Sequence, residues 1–220
     1  FIVPLFVLFL GSIPPGKAFP DDSLSTVTEG IGGRYGNAKG LAAEYTREAI
    51  SKTMAKLGAA DRHDLAKGRL YFRPPHFVRL EQASPQEELL LTDGQTLWWY
   101  VPLKKEAYKY PAKKFGQELR LLSDVLKGLK DAQDRFQITL KAIPGTSTYH
   151  LILRPEPPWQ DIDHLEVIIY KGDFAIKQVD IYNNIGGLTR FLLSTWKEKD
   201  RFRNGFFSFF PPPGIKVIEK

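Results

Sequence analysis

Apolar and polar positions alternate along much of this chain in short runs, each closed by a turn signal. The clearest stretch runs from Gly68 to Tyr110. Pro74-Pro75, Ala83-Ser84-Pro85, Asp93-Gly94 and Pro102 punctuate it and leave no window long enough for a helix. Aromatic-rich runs of this length between such turns predict an antiparallel meander. Side chains two apart in a strand share a face. Leu70 and Phe72 therefore oppose Arg69, Tyr71 and Arg73, and Val78 and Leu80 oppose Phe77, Arg79 and Glu81. After the three leucines of Glu88–Thr92, Trp98 and Tyr100 share a face opposite Leu97 and Trp99. Both faces of that last strand are apolar, so the sheet should be covered on both sides.

On the N-terminal side, Asp21-Asp22-Ser23 offers a helix cap before Leu24, Val27, Ile31 and Tyr35, which fall at helical spacing. Gly30, Gly32 and Gly33 weaken that helix by roughly 1 kcal/mol each relative to Ala, so it depends on docking. Leu41 to Met54 reads as strand or helix, and Gly58 to Asp64 as a polar connection. On the C-terminal side, Leu119, Leu122, Val125, Leu126 and Leu129 predict one helix within Phe115–Ala132, or two with Ser123-Asp124 as a second cap. Strands then resume over Phe136–Ile143, Tyr149–Leu153, His164–Tyr170, Phe174–Tyr182 and Leu188–Trp196. Pro144-Gly145, the loop Pro155 to Trp159, Gly172-Asp173 and Gly186-Gly187 separate them. Phe206–Phe210 precedes Pro211-Pro212-Pro213-Gly214-Ile215.

About ten or eleven strands interrupted by one or two helical segments predict a single domain built on one antiparallel sheet. A sheet of that size should curl. The opening run Phe1 to Leu10, followed by small residues to Ala18, fits the apolar and cleavage regions of a secretory leader, with a mature start near Phe19. A membrane anchor or a buried N-terminal strand is the alternative.

Composition changes this picture little. A net charge of +6 suits nucleic acid, an anionic membrane surface, an acidic partner or a solvated surface with some steering value. No helix-turn-helix, RNP or zinc-finger pattern and no polybasic block supports the first. The sequence has 0 cysteines, which excludes a disulfide, a thiol nucleophile and a lipid anchor attached through cysteine. His63, His76, His150 and His164 lack metal-ligand spacing, and no serine lies in a Gly-x-Ser-x-Gly elbow. Gly30-x-Gly32-Gly33 follows no strand. Glu87-Glu88 and Asp161 with Asp163 read as solvated carboxylates. The pattern thus points away from an enzyme and calls for no metal or cofactor.

What stands out is an apolar surplus, with aromatic residues at 13% of the chain. Such a surplus either packs a solid core or lines a cavity able to take acyl chains. Leu70, Phe72, Val78, Leu80, Trp98 and Tyr100 are the candidates for such a lining, and the alternation leaves open which face would carry it.

The order of these runs resembles the outer-membrane lipoprotein carrier proteins, the LolA family. The resemblance is carried by Gly68-Arg69-Leu70-Tyr71-Phe72-Arg73-Pro74, then Phe77-Val78-Arg79-Leu80-Glu81, then Leu90 through Asp93-Gly94 to Leu97-Trp98-Trp99-Tyr100-Val101-Pro102. Asp180-Ile181-Tyr182, Thr189-Arg190-Phe191 and the closing run Phe206 to Ile218 extend it to about residues 22 to 219. Tyr45-Thr46-Arg47 stands where the family has Phe-x-Gln, and Trp99 where many members have Phe.

The resemblance favours a strand after the first helix and implies an incomplete β-barrel with a helical lid. It implies a monomeric periplasmic carrier of acylated lipoproteins, moving them from an inner-membrane ABC transporter to an outer-membrane receptor. Arg73 would then be a lid latch bridging backbone carbonyls, a task suited to its five-donor fork. The alternatives are a periplasmic lipid or lipoprotein sensor and a carrier of another lipid.

Overall fold

The computed structural model describes residues 23–51, 64–112, 117–129, 132, 134–141 and 143–220. The leader and cleavage region, residues 52–54 of the first ambiguous segment, the connection up to residue 63 and Phe115 lie outside the described residues. One sheet of twelve strands organises the rest. Its strands are β1 (Leu41–Ile50), β2 (Asp64–Arg73), β3 (Phe77–Ser84), β4 (Glu88–Thr92), β5 (Thr96–Val101), β6 (Glu106–Pro111), β7 (Phe136–Lys141), β8 (Thr148–Pro155), β9 (Ile162–Tyr170), β10 (Ile176–Asn183), β11 (Leu188–Glu198) and β12 (Lys216–Glu219). They lie in the order β12-β6-β5-β4-β3-β2-β1-β11-β10-β9-β8-β7. The curved sheet stays unclosed.

The segment that reads two ways, Leu41 onward, is a strand. Leu41, Ala43 and Tyr45 are buried on one side of it, and β1 joins the two meanders by pairing with both β2 and β11. Eleven strands pair antiparallel, and the short polar β12 adds in parallel to β6. It carries too few apolar residues to read as a strand from its sequence. The aromatic run Phe206–Phe210 forms no strand.

Cross-strand partners share a face, so the register defines two surfaces. On the inner face the row Leu70–Leu80–Leu90–Trp99 runs beside the row Phe72–Val78–Thr92–Leu97. Across β1 it continues through Tyr45, Phe191, Val179 and Val167. The outer face carries Tyr71, Arg79, Leu91 and Trp98. There the C-terminal aromatics lie as a strap: Phe206 packs edge-on against Tyr71 and accepts a hydrogen bond at its carbonyl from Arg79 (2.8 Å). The expectation that both faces are covered thus holds, with helices on one and a strap on the other. Asp180, buried on the outer side of β10, is gripped by Arg190 of β11 directly opposite, at 2.9 Å from Nε and 2.8 Å from Nη2. Two separate sequence motifs, Asp180-Ile181-Tyr182 and Thr189-Arg190-Phe191, are therefore one cross-strand unit.

Among the described residues, two helices lie on the inner face. Helix α1 (Leu24–Tyr35) is capped by the Ser23 side chain, which accepts from the Thr26 N–H at 3.2 Å. It buries Val27, Ile31 and Tyr35. The Tyr35 hydroxyl accepts from the Ile176 N–H (2.9 Å), and its ring meets Trp196 edge-on. Helix α2 (Gln117–Leu126) runs unbroken through Ser123-Asp124, so no second helix begins there. From Leu119 to Leu126 only Arg120 is exposed. A helix buried nearly all round sits inside the core rather than on it. Ser123 and Asp124 are tolerated there because each has a partner. Ser123 Oγ donates to the Pro75 carbonyl (3.2 Å), and Asp124 pairs with Lys127 (3.0 Å) and Arg135 (2.8 Å).

The two helices meet backbone to backbone. Gly128, just past α2, has φ +86°, and a Cβ there would lie 2.9 Å from the Gly32 Cα. Both the conformation and the approach require glycine. Gly128→Ala is expected to lower the unfolding free energy by about 1–3 kcal/mol, measured by urea denaturation. An unchanged midpoint would show that this contact is not needed.

Arg190→Ala leaves the Asp180 carboxylate buried without its strongest partner. A loss of about 2 kcal/mol or more is expected by the same measurement, against little loss for Asp180→Asn with Arg190→Ala together.

Candidate functional site, an apolar inner face with one polar end

The inner face has two ends with different chemistry. At the end near the Pro74-Pro75 corner, α2 fills the space. A small cavity of about 190 Å³ remains there between His76, Thr92 and Ala112 on the sheet side and Leu119 and Ser123 on the helix. At the opposite end, beyond the reach of the described helical residues, the sheet holds a groove of about 440 Å³. Leu80, Leu90, Tyr45 and Trp99 form its apolar wall, and Arg47, Gln82 and Glu88 its polar end.

The residues proposed from sequence divide between the faces. Leu70, Phe72, Val78 and Leu80 lie together on the inner face, all at or below 4% exposure. Trp98 and Tyr100 lie on the outer face, where Phe209 of the strap covers both at 5.2 Å between ring centroids. Their neighbour Trp99 takes the inner position and stacks on Tyr108 at 5.1 Å. Alternation alone pairs Leu97 with Trp99. What it lacks is the phase of β5 relative to β3, which the pairing of Thr92 with both Val78 and Leu97 supplies.

Arg73 ends β2 on the side opposite Phe72. Its guanidinium carbon lies 4.0 Å from the Phe77 ring centre and 5.1 Å from that of Phe207. It therefore clasps the strap next to the corner whose Pro75 carbonyl receives Ser123 of α2. Cation–π contacts of this kind are worth about 0.5–2 kcal/mol.

The sequence alone makes Glu88 a solvated carboxylate beside Glu87. In the structure it is a fixed member of the groove. Trp99 Nε1 donates to its Oε2 (2.9 Å) and Gln86 Nε2 to its Oε1 (2.7 Å). Gln82 is nearly buried and donates from Nε2 to the Gln86 carbonyl (3.0 Å). Its place opposite Glu88 in β4 brings both to the inner face. Burial pushes the Tyr45 phenol up to about 12, with Arg47 opposing the shift and Glu88 adding to it.

No group of three His, Cys, Asp or Glu side chains among the described residues is placed to hold a metal ion. No helix among them is long and apolar enough to cross a membrane.

An unclosed curved sheet with an apolar inner face, part filled by helices and part left as a groove, defines a β-rich carrier fold. Comparison of the sequence identifies which one: residues 37–210, well over half of the chain, match the family described as outer membrane lipoprotein carrier protein LolA. The chain belongs to that family. It is 22% identical to an outer-membrane lipoprotein carrier protein of Pseudomonas paraeruginosa, over 97% of each chain. A protein of the same name from Coxiella burnetii is 24% identical over 70% of this chain and 71% of its own. Among solved structures, an uncharacterized conserved protein of Thermus thermophilus superposes with a TM-score of 0.53 at 12% identity, over 89% of this chain and 98% of that one. A DUF1329 family protein of Desulfovibrio piger gives 0.51 at 10% identity, over 84% and 96%.

The raised phenol carries a sign. Tyr45 favours the folded state only while protonated, because the unfolded phenol ionises near 10 and the folded one near 12. Its contribution to stability is complete below pH 10 and is lost as pH rises through about 12. Ultraviolet titration of wild type minus Tyr45→Phe should show one phenol ionising near 12. A difference curve centred near 10 would contradict the burial of this residue.

Proposed function

We propose that this chain is a periplasmic carrier that shelters the acyl chains of lipoproteins against the inner face of its sheet. It would take them from an inner-membrane ABC transporter and give them to an outer-membrane receptor. The observation that carries this reading is α2. From Leu119 to Leu126 the helix is buried nearly all round, yet its polar ties to the rest of the fold among the described residues are few, Ser123 to Pro75 and Asp124 to Arg135. Leucines such as Leu121, Leu122 and Leu126 occupy the space that acyl chains would take. Helix and cargo are thus exchangeable occupants of one apolar surface. Burying an acyl chain gains about 0.8 kcal/mol per CH₂, and re-docking the helix regains burial of about 1.5–3 kcal/mol per large side chain. Two near-equal occupants allow handover without breaking a bond. The names of the family's relatives indicate the cargo class, and in this reading residues 1–18 are a leader for export, with residues 19–220 as the carrier domain.

Native mass spectrometry of the chain mixed with a triacylated lipoprotein, beside its deacylated form, tests this. A one-to-one complex with the acylated form alone is expected. Equal binding to both, or to neither, overturns it.

In this reading Arg73 is the latch that favours the closed, empty form by holding the corner where α2 docks. Arg73→Leu should then keep cargo longer, with about a fivefold or greater rise in the bound fraction relative to free at equilibrium. Release at the wild-type level would remove Arg73 from this role.

A further inference from the structure

The polar end of the 440 Å³ groove contains an unmet donor. Arg47 is placed on the inner face by its pairing with Ala66 and Phe191. Its Nε is buried and has no hydrogen-bond partner among the described residues. Two of the acceptor groups that line the groove with it, the Glu88 carboxylate and the Gln86 carbonyl, are engaged by other donors, and no ion pair joins Arg47 to Glu88 or Asp64. Both Glu88 oxygens accept from Trp99 and Gln86, and the Gln86 carbonyl accepts from Gln82. A buried donor left without an acceptor is costly, and such groups in a groove ask for a ligand atom.

The surroundings define that atom. An anion would meet Glu88 and Asp64, two carboxylates lining the same groove. The acceptor that fits is a neutral carbonyl oxygen. The wall beside it is Leu80, Leu90, Tyr45 and Trp99, continuous with the apolar inner face through Leu70. A carbonyl joined directly to an alkyl chain meets both demands at once. The groove's volume equals about fifteen water-sized volumes of ~30 Å³, which is room for a linkage group and the start of its chains.

We propose that Arg47 binds an ester carbonyl of the acyl linkage, so that the groove registers where the chains join their head group. This rests on the carrier reading above and adds to it the part of the cargo that is read.

Two probes separate the claims: a dipalmitoylglyceryl-cysteinyl peptide with ester links, and the same peptide with ether-linked hexadecyl chains that have no ester carbonyls. Competition between them, followed by native mass spectrometry, should show the wild-type chain preferring the ester form about tenfold. Arg47→Leu should bind both alike, at the ether level, and Arg47→Lys should restore part of the preference. The melting temperature of Arg47→Leu should not fall, because the change removes a donor that the empty fold leaves unsatisfied. Equal binding of the two probes by wild type, or an undiminished ester preference in Arg47→Leu, overturns the assignment while leaving acyl carriage intact. Binding of neither probe by wild type overturns both. If Arg47→Leu does not fold, the wild-type ratio and Arg47→Lys still decide.

Discussion

The need to keep both faces of one open sheet out of water governs this molecule. A twelve-stranded sheet with aromatic and aliphatic side chains on both sides cannot cover itself. On the outer face, β2 to β5 are covered by the strap of Phe202, Phe206, Phe207 and Phe209, whose rings pack on Tyr71, Phe77, Trp98 and Tyr100. The inner face is covered in part by α1 and α2, which leave the groove at its far end. The two coverings differ in kind. The strap is fixed by ring contacts and by Arg73 and Arg79. α2 is held mainly by non-directional burial, which another apolar occupant can supply equally well.

This asymmetry explains why polar groups cluster where they do. Arginines on the outer face are stacked or paired, as Arg73, Arg79 and Arg190 show. The inner face has few polar groups, and those at its groove end are tied to one another through Glu88. Arg47 and Asp64 line the groove outside that network, and Arg47 sits where the sequence has Tyr45-Thr46-Arg47 rather than Phe-x-Gln. An ionised side chain with a buried, unpartnered nitrogen on an otherwise apolar face is costly in the empty protein, which is why it reads as a ligand contact rather than a structural one.

Much of the fold is legible from alternation and turn residues. The meander from Gly68 to Tyr110, the helix after Ser23 and the strands after Phe136 all follow from period and punctuation. Three features are not. The strand character of Leu41–Ile50 is decided by its two neighbours, because its alanines and glutamates serve either element. β12 is a strand only because β6 offers it an edge. The face assigned to Trp98 and Tyr100 depends on register across three strands, which no single run contains. The candidate site is less legible still. Glu88 and Gln82 read as ordinary surface residues until the pairing of β3 with β4 turns both inward, and Arg47 is visible only as a departure from a motif.

A sheet that does not close has two free edges, each able to recruit a foreign strand. β12 deals with one of them. Four residues, two of them charged, lie along β6, and Lys109 reaches Glu219 at 2.9 Å. The far edge is the six-residue β7, on which Gln137, Thr139 and Lys141 alternate with the apolar positions. The sheet can therefore remain unclosed without inviting end-to-end polymerisation. The chain's closing strand would then serve solubility rather than binding.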